Sequence, residues 1–197
     1  MSLPSAAKSV LFTFLGLFLG RRLGPSRARQ DANVWLRLHC RDVAGKILSI
    51  GSGDDSDHEG GYYRKYFPNA TSYTTSEVSA EFKCDLVIDV RSMPEIADGT
   101  YDGIYCSGVL EHTDEFQAAM RELTRILKTG GTLLLGLPFR QALHMEPYDF
   151  WRFTEFGIQH LLKQDYAITI ITGIDPDRKA GFPAAYWVKA IKTIRKT

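Results

Sequence analysis

The run Ile50-Gly51-Ser52-Gly53-Asp54-Asp55 closes an apolar stretch and sets two glycines beside two acids. Glycines there let a backbone turn sharply and approach a bound molecule with no side chain in the way. A dinucleotide fingerprint needs a third glycine or an alanine at position 56, where this chain has Ser56. Asp54, Asp55, Asp57 and Glu59 crowd the same loop. Such a loop repels a pyrophosphate and favours a cationic ligand. Glu77 ends a second apolar stretch, 24 residues past Gly53. A carboxylate at that place accepts hydrogen bonds from both hydroxyls of a ribose. Asp89 ends a third stretch, where it could accept from an adenine amino group.

A second set of reactive side chains lies further on. His112 follows a fourth apolar stretch, and His144, Glu146, Asp149, Trp151 and Arg152 fall within HMEPYDFWR. An imidazole beside an open cleft can take a proton from an attacking oxygen or nitrogen. Histidine, carboxylate and arginine could hold a polar acceptor, while Tyr148, Phe150 and Trp151 could stack on it. The structural alternatives are a helix-start histidine at 112 and a packed lid with an exposed Arg–Asp pair at 149–152. His58 and His160 show no ligand spacing, and the sequence indicates no metal. Three cysteines with no CxxC pair give neither a disulfide framework nor a zinc site, and they suit a reducing, cytoplasmic compartment.

These residues need strands and helices to position them. KILSI (46–50), TSYTTSEV (71–78), CDLVIDV (84–90), YDGIYCSGV (101–109) and GTLLLGLPF (131–139) are near-continuous apolar or β-branched runs. That pattern predicts strands of a parallel sheet covered on both faces. Residues 27–40 predict a helix with Ala28, Ala32, Trp35, Leu36 and His39 near one face. Residues 113–131 predict another, with Phe116, Met120, Leu123 and Leu127 at helical spacing, capped by Thr113 or Asp114 and ended by Gly130–Gly131. Residues 154–164 predict a third, with Thr154 as its N-cap. YAITIIT (166–172) reads as a strand, and AYWVKAIKTI (185–194) as a strand or a helix. The alternation gives one α/β domain with a mostly parallel sheet.

The 197 residues carry a net charge of only +1, unevenly spread. Residues 1–30 hold five basic residues and no acid, and residues 178–197 hold six and none, around an acidic body. Val10–Leu19 is an apolar run too short to span a bilayer. It could cap the domain as a buried helix, lie in a membrane interface between Lys8 and Arg21–Arg22, or be an uncleaved signal. The basic ends carry none of the interleaved aromatics of a nucleic-acid module, so no nucleic-acid partner is expected.

KILSIGSGDD, TTSEV, CDLVIDVRSMPEIADGTYDGIYCSGVLEHT and LKTGGTLLLGLPF together resemble the class I S-adenosylmethionine-dependent methyltransferases of type 11, over roughly residues 45–165. The resemblance implies a Rossmann-like, doubly wound fold in residues 26–197, with a mostly parallel seven-stranded sheet and helices on both faces. It implies that Gly51, Ser52 and Gly53 line the methionine part of the cofactor. Glu77 would hold the ribose, Asp89 with Val90 the adenine, and Ser107 and Gly108 would sit beside the sulfonium. The residue chemistry, apart from the resemblance, sets His112 and His144 on the acceptor side, with Asp149, Trp151 and Arg152 binding the acceptor. The family usually has an acid where Ser49 stands and a third glycine where Asp55 stands, which leaves Asp54 or Asp55 to supply the missing charge. The tail from LPFRQALHMEPYDFWR onward is similar to methyltransferases of cell-surface glycan and lipid pathways. The expected acceptor is therefore a small molecule, a glycan or a lipid-linked intermediate, reached by an enzyme that is cytoplasmic or peripherally bound through residues 10–19 and the basic termini. The competing class is a degenerate fold relative acting as a membrane-associated scaffold. A nicotinamide dehydrogenase is disfavoured by the glycine loop.

Overall fold

The computed structural model describes residues 26–175 and 181–194. The apolar run at 10–19, the whole of 1–25, and Arg195 and Lys196 lie outside the described residues. Among the described residues no helix is long and apolar enough to cross a membrane.

Seven strands form one sheet: β1 (Ala44–Ile50), β2 (Asn69–Glu77), β3 (Leu86–Val87), β4 (Tyr101–Ser107), β5 (Leu127–Pro138), β6 (Tyr166–Ile174) and β7 (Ala185–Lys192). Their order is β3-β2-β1-β4-β5-β7-β6. The first five are parallel, while β7 runs antiparallel to both β5 and β6. The strand order reverses between β1 and β4, so the crevice outside their carboxyl ends is where an open α/β sheet binds ligands.

Alternate side chains of the central strands leave by opposite faces, as the pleat requires. Leu48, Ile50, Ile104, Cys106, Leu133 and Leu135 pack under α2 (Phe116–Ile126) and α3 (Glu155–Leu162). Ile47, Tyr105, Leu134 and Trp187 pack under α1 (Arg27–His39). Ser26 caps α1 by accepting from the Arg29 N–H at 3.2 Å. Thr154 caps α3 by accepting from the Gly157 N–H at 3.0 Å. Each large aliphatic side chain buried this way contributes about 1.5–3 kcal/mol.

The α/β, Rossmann-like expectation holds in outline, with corrections. The sheet is mixed, and the described residues contain three α-helices, one on one face and two on the other. No α-helix links β1 to β2, β2 to β3 or β3 to β4, so the winding is incomplete. Between β1 and β2 the acidic loop replaces it, with Asp55, His58 and Gly60 at positive φ, which a helix does not tolerate. The predicted helix 113–131 ends at Ile126, because Leu127 already pairs with Tyr101 in the sheet. Gly130, at φ 80°, sits in an irregular stretch of β5 rather than at a helix end. Neither Thr113 nor Asp114 caps α2: Glu115 holds that position with no side-chain bond. Residues 185–192 are a strand, gripped on both edges by β5 and β6. Of the run 84–90 only Leu86–Val87 is strand.

Candidate functional site

The glycine loop leaves β1 at the reversal point. Gly51 takes φ 65°, and a Cβ there would lie 2.4 Å from Cγ2 of Val109, in the loop after β4. Only glycine allows the two loops to meet this closely. Gly53 takes φ 53° and faces open space. Its N–H donates to Oε1 of Glu77 at 2.6 Å, which joins the loop to the end of β2. That N–H is the carboxylate's one partner among the described residues. The Ser52 hydroxyl is inward and structural: it donates to the Ser49 carbonyl at 2.9 Å and accepts from the Ser76 N–H at 3.0 Å.

The acidic loop is less negative than its composition suggests. Asp55 is buried and accepts from Arg64 Nε at 2.7 Å and the Tyr73 hydroxyl at 3.1 Å. Asp57 is also buried. Burial raises its pKa, but the Tyr66 hydroxyl at 2.7 Å and the N–H groups of Glu59 and Gly61 outweigh this and hold it below its usual value. Glu59 takes Asn33 at 2.9 Å and Arg37 at 2.7 Å. Asp54 alone stays exposed with only a backbone partner, the Ser56 N–H. Of the two acids expected to supply the charge missing at Ser49, Asp55 is therefore committed to the interior.

Asp89 follows β3, and Val90 beside it is buried in the core cluster under α2 and α3. Arg91 bonds both Asp89 oxygens, from Nε at 3.0 and 3.1 Å and from Nη2 at 2.7 Å, and holds the carboxyl below its usual range. Arg91 also reaches Asp114 at 2.8 Å. Ser107 ends β4, and Gly108 follows at φ 69°, where a Cβ would stand 3.8 Å from Oε1 of Glu111.

Glu111 was not singled out from the sequence, and it is the least ordinary group here. It is 2% exposed, and its Oε2 has no hydrogen-bond partner. Desolvation pushes its pKa up to about 7. The available signal was the acid directly after the apolar pair Val109-Leu110 and before His112, just past the fourth apolar run. His112 places Nε2 3.9 Å from Oε1 of Glu111, and its Nδ1 lies 2.9 Å from the Tyr148 carbonyl. The His144 ring stands edge-on to it, with centroids 4.7 Å apart. The structure thus brings His112 and His144 together from two distant segments.

The 139–152 segment docks onto this turn through its backbone: the N–H groups of Phe150 and Trp151 both donate to the Glu111 carbonyl, at 2.8 and 3.2 Å. Asp149, with a side chain 1% exposed, is the clasp. It accepts from Arg152 at 2.6 and 2.7 Å and from the His144 N–H at 2.9 Å, and the Arg152 contact holds its carboxyl well below the usual carboxylate range. The Arg152 Nη atoms also reach the carbonyls of Trp151, Gln141 and Ala142. Both residues are thus engaged in holding the segment, and only Arg152 Nε is left for an acceptor. Trp151 donates from Nε1 to the Thr113 carbonyl at 2.9 Å and packs edge-on against Phe116. Residues 139–143 and 149–152 line a cleft of about 560 Å³; Leu143 and Phe150 of this lining are exposed, as is Tyr148 in the same segment.

Residues 61–135 match the family model described as "Methyltransferase domain". The matched span starts past the glycine loop. The chain matches no curated protein sequence. Among solved structures it is similar to the 1,6-didemethyltoxoflavin-N1-methyltransferase of Burkholderia thailandensis, solved with 1,6-didemethyltoxoflavin and S-adenosylhomocysteine. The identity is 18%, over 98% of this chain and 92% of that one, with a TM-score of 0.62. It is also similar to a structure from Haloferax volcanii of the Trm112 methyltransferase activator complex (14% identity, 87% and 92% coverage, TM-score 0.65). A third, the [4+2]-cyclase SpnF, shares 15% identity over 83% and 82% of the chains, with a TM-score of 0.61. One fold thus serves more than one chemistry, and the site must carry the argument for function.

Proposed function

We propose that this chain, which has the fold of the class I S-adenosylmethionine-dependent methyltransferases and a methyltransferase-domain match over residues 61–135, binds S-adenosylmethionine at the switch point of its sheet and transfers the methyl group to an acceptor in the 139–152 cleft. The observation that carries this is the joined pair of Gly53 and Glu77: an open backbone turn whose N–H holds a carboxylate in place at the adjacent strand end. The second Glu77 oxygen is then available to a ribose diol. Gly51, Ser52 and Gly53 shape the floor for the methionine moiety, and the positive φ of Gly108 keeps the approach to the reacting centre clear. Asp89 and Val90 take the adenine edge. Because Arg91 already bonds both Asp89 oxygens, the amino group would be admitted as Arg91 turns toward Asp114.

The bound cofactor supplies an already activated methyl group, so the protein's part is alignment and exclusion of water. Asp149 and Arg152 act as positioning residues that hold the 139–152 segment against Glu111 and His112. His112 and His144 face the acceptor and hold or accept its proton. The exposed Leu143, Tyr148 and Phe150 favour an acceptor with an apolar or aromatic body, whether a small molecule, part of a glycan or a lipid-linked intermediate.

Calorimetry with S-adenosylhomocysteine tests this reading. Glu77→Ala is expected to weaken binding by about 1.5–3 kcal/mol, or about 10- to 150-fold, the loss of a hydrogen bond to a charged group. Glu77→Gln should lose less, since its amide oxygen can still accept from Gly53. Equal affinity in the wild type and the alanine variant would remove Glu77 from the site. No binding to the wild type would leave a fold relative without its cofactor, acting as a binding or scaffold module.

A further inference from the structure

We propose that Glu111, His112 and His144 bind a divalent first-row transition metal ion where the turn after β4 meets the 139–152 segment. One ligand atom from each of the three lies within 4.8 Å of the others. Around a tetrahedral zinc ion, donors stand about 3.3 Å apart, so modest side-chain rotations close the set.

Three further observations support an ion rather than a chance meeting. First, the Glu111 carboxylate is buried with Oε1 3.9 Å from Nε2 of His112 and with Oε2 unpartnered, and a buried oxygen without a partner is costly. Second, His112 has its Nδ1 against the Tyr148 carbonyl at 2.9 Å. A carbonyl only accepts, so Nδ1 carries the proton and Nε2, the atom 3.9 Å from Glu111, keeps a free lone pair. Third, His144 has its Nδ1 3.2 Å from the Ala142 carbonyl and 3.3 Å from Oδ2 of Asp149, again two acceptors. The same reasoning leaves its Nε2 free. Carboxylate or carbonyl behind imidazole is the usual second layer of a metal site, fixing the tautomer and the ring direction.

The donor set also narrows the ion. Two imidazoles and one carboxylate suit zinc, cobalt, iron or manganese, and not magnesium, which prefers oxygen ligands and keeps its waters. Three protein ligands leave coordination positions open, as catalytic rather than structural sites do. Gly108 adjoins Glu111 at this point, so an oxygen of the acceptor could take an open position beside the reacting centre. In that state His112 and His144 serve as ligands and not as bases. The sequence indicated no metal because the glutamate and His144 come from segments that only the docked 139–152 loop brings together. The use made of the ion rests on the proposed methyl transfer, but its binding does not.

The test is metal binding by the full chain, with zinc and cobalt as probes and magnesium as the control. Zinc should bind one per chain in calorimetry, and cobalt should give the visible absorption of a nitrogen-ligated, four- or five-coordinate site. Glu111→Gln and His144→Ala should each weaken zinc by more than the about 10–100-fold expected for losing an outer partner alone. S-adenosylhomocysteine affinity, measured alongside, should stay nearly unchanged in both variants. Cobalt binding with the pale spectrum of an all-oxygen site, or zinc affinity unchanged in His112→Ala/His144→Ala, would overturn the proposal.

Discussion

Asp149→Ala should destabilise the protein by about 3 kcal/mol, the lower end for breaking a buried ion pair by removing one partner. The Asp149 side chain is 1% exposed, whereas Arg152 is 23% exposed and can recover some hydration, hence the lower end. The variant loses the two short bonds from Arg152 and the acceptor for the His144 N–H. It also leaves Arg152 with carbonyl partners only. Urea unfolding gives the number directly. Asp149→Asn, which keeps an acceptor for the His144 N–H, should cost less. The pH dependence has a definite sign. The Asp149 carboxyl is held below its unfolded value, so its contribution is complete above about pH 4 and is lost as the pH falls toward the folded value. A loss under about 1 kcal/mol in the alanine variant would show that the clasp does not hold the segment.

Glu111→Gln should change the pH profile of stability rather than simply lower it. Burial lifts the Glu111 carboxyl from 4.5 to about 7. The folded protein therefore holds a proton that the unfolded chain releases across that window, and stability falls as pH rises from about 4.5 to about 7. The full shift corresponds to about 3 kcal/mol. Glutamine mimics the protonated form at all pH values. In the presence of a chelator, the variant should match the wild type near pH 4.5 and exceed it by up to about 3 kcal/mol at pH 8. Parallel stability curves for the two proteins would mean that Glu111 titrates normally.

Much of the frame was legible in the sequence. The apolar runs at 46–50, 71–78, 101–109 and 166–172 supply strands β1, β2, β4 and β6. Gly53 and Glu77 each read as lying at the carboxyl end of a strand, and the structure adds that the two strands are neighbours and that the pair is hydrogen-bonded. What escaped depends on partners far away in the chain. Trp187, Ala190 and Ile191 satisfy helical and strand spacing alike, and only the edges of β5 and β6 decide between them. Leu127 continues the apolar spacing of α2, yet its pairing with Tyr101 pulls it into the sheet. The acidic loop read as a strong negative field because Arg64, Tyr73, Tyr66, Asn33 and Arg37 could not be placed beside it. Asp149 and Arg152 read as acceptor ligands because nothing in HMEPYDFWR reveals that the guanidinium turns back onto the carbonyls of Gln141 and Ala142. Glu111 was overlooked for the same reason: the 139–152 segment, which bonds its carbonyl and sets His144 near its carboxylate, lies far along the chain.

The proposed function stands on a nucleoside-bearing sulfonium cofactor sitting where β1, β2 and β4 end. Its most direct test is a titration of isotope-labelled protein with S-adenosylhomocysteine, followed through the backbone amide resonances. Saturable shifts are expected at Gly51–Gly53, Glu77, Asp89–Val90 and Ser107–Gly108, with Thr172 on the far edge strand β6 and its hydrogen-bond partner Trp35 unmoved. Shifts confined to other residues, or none at saturating ligand, would contradict it.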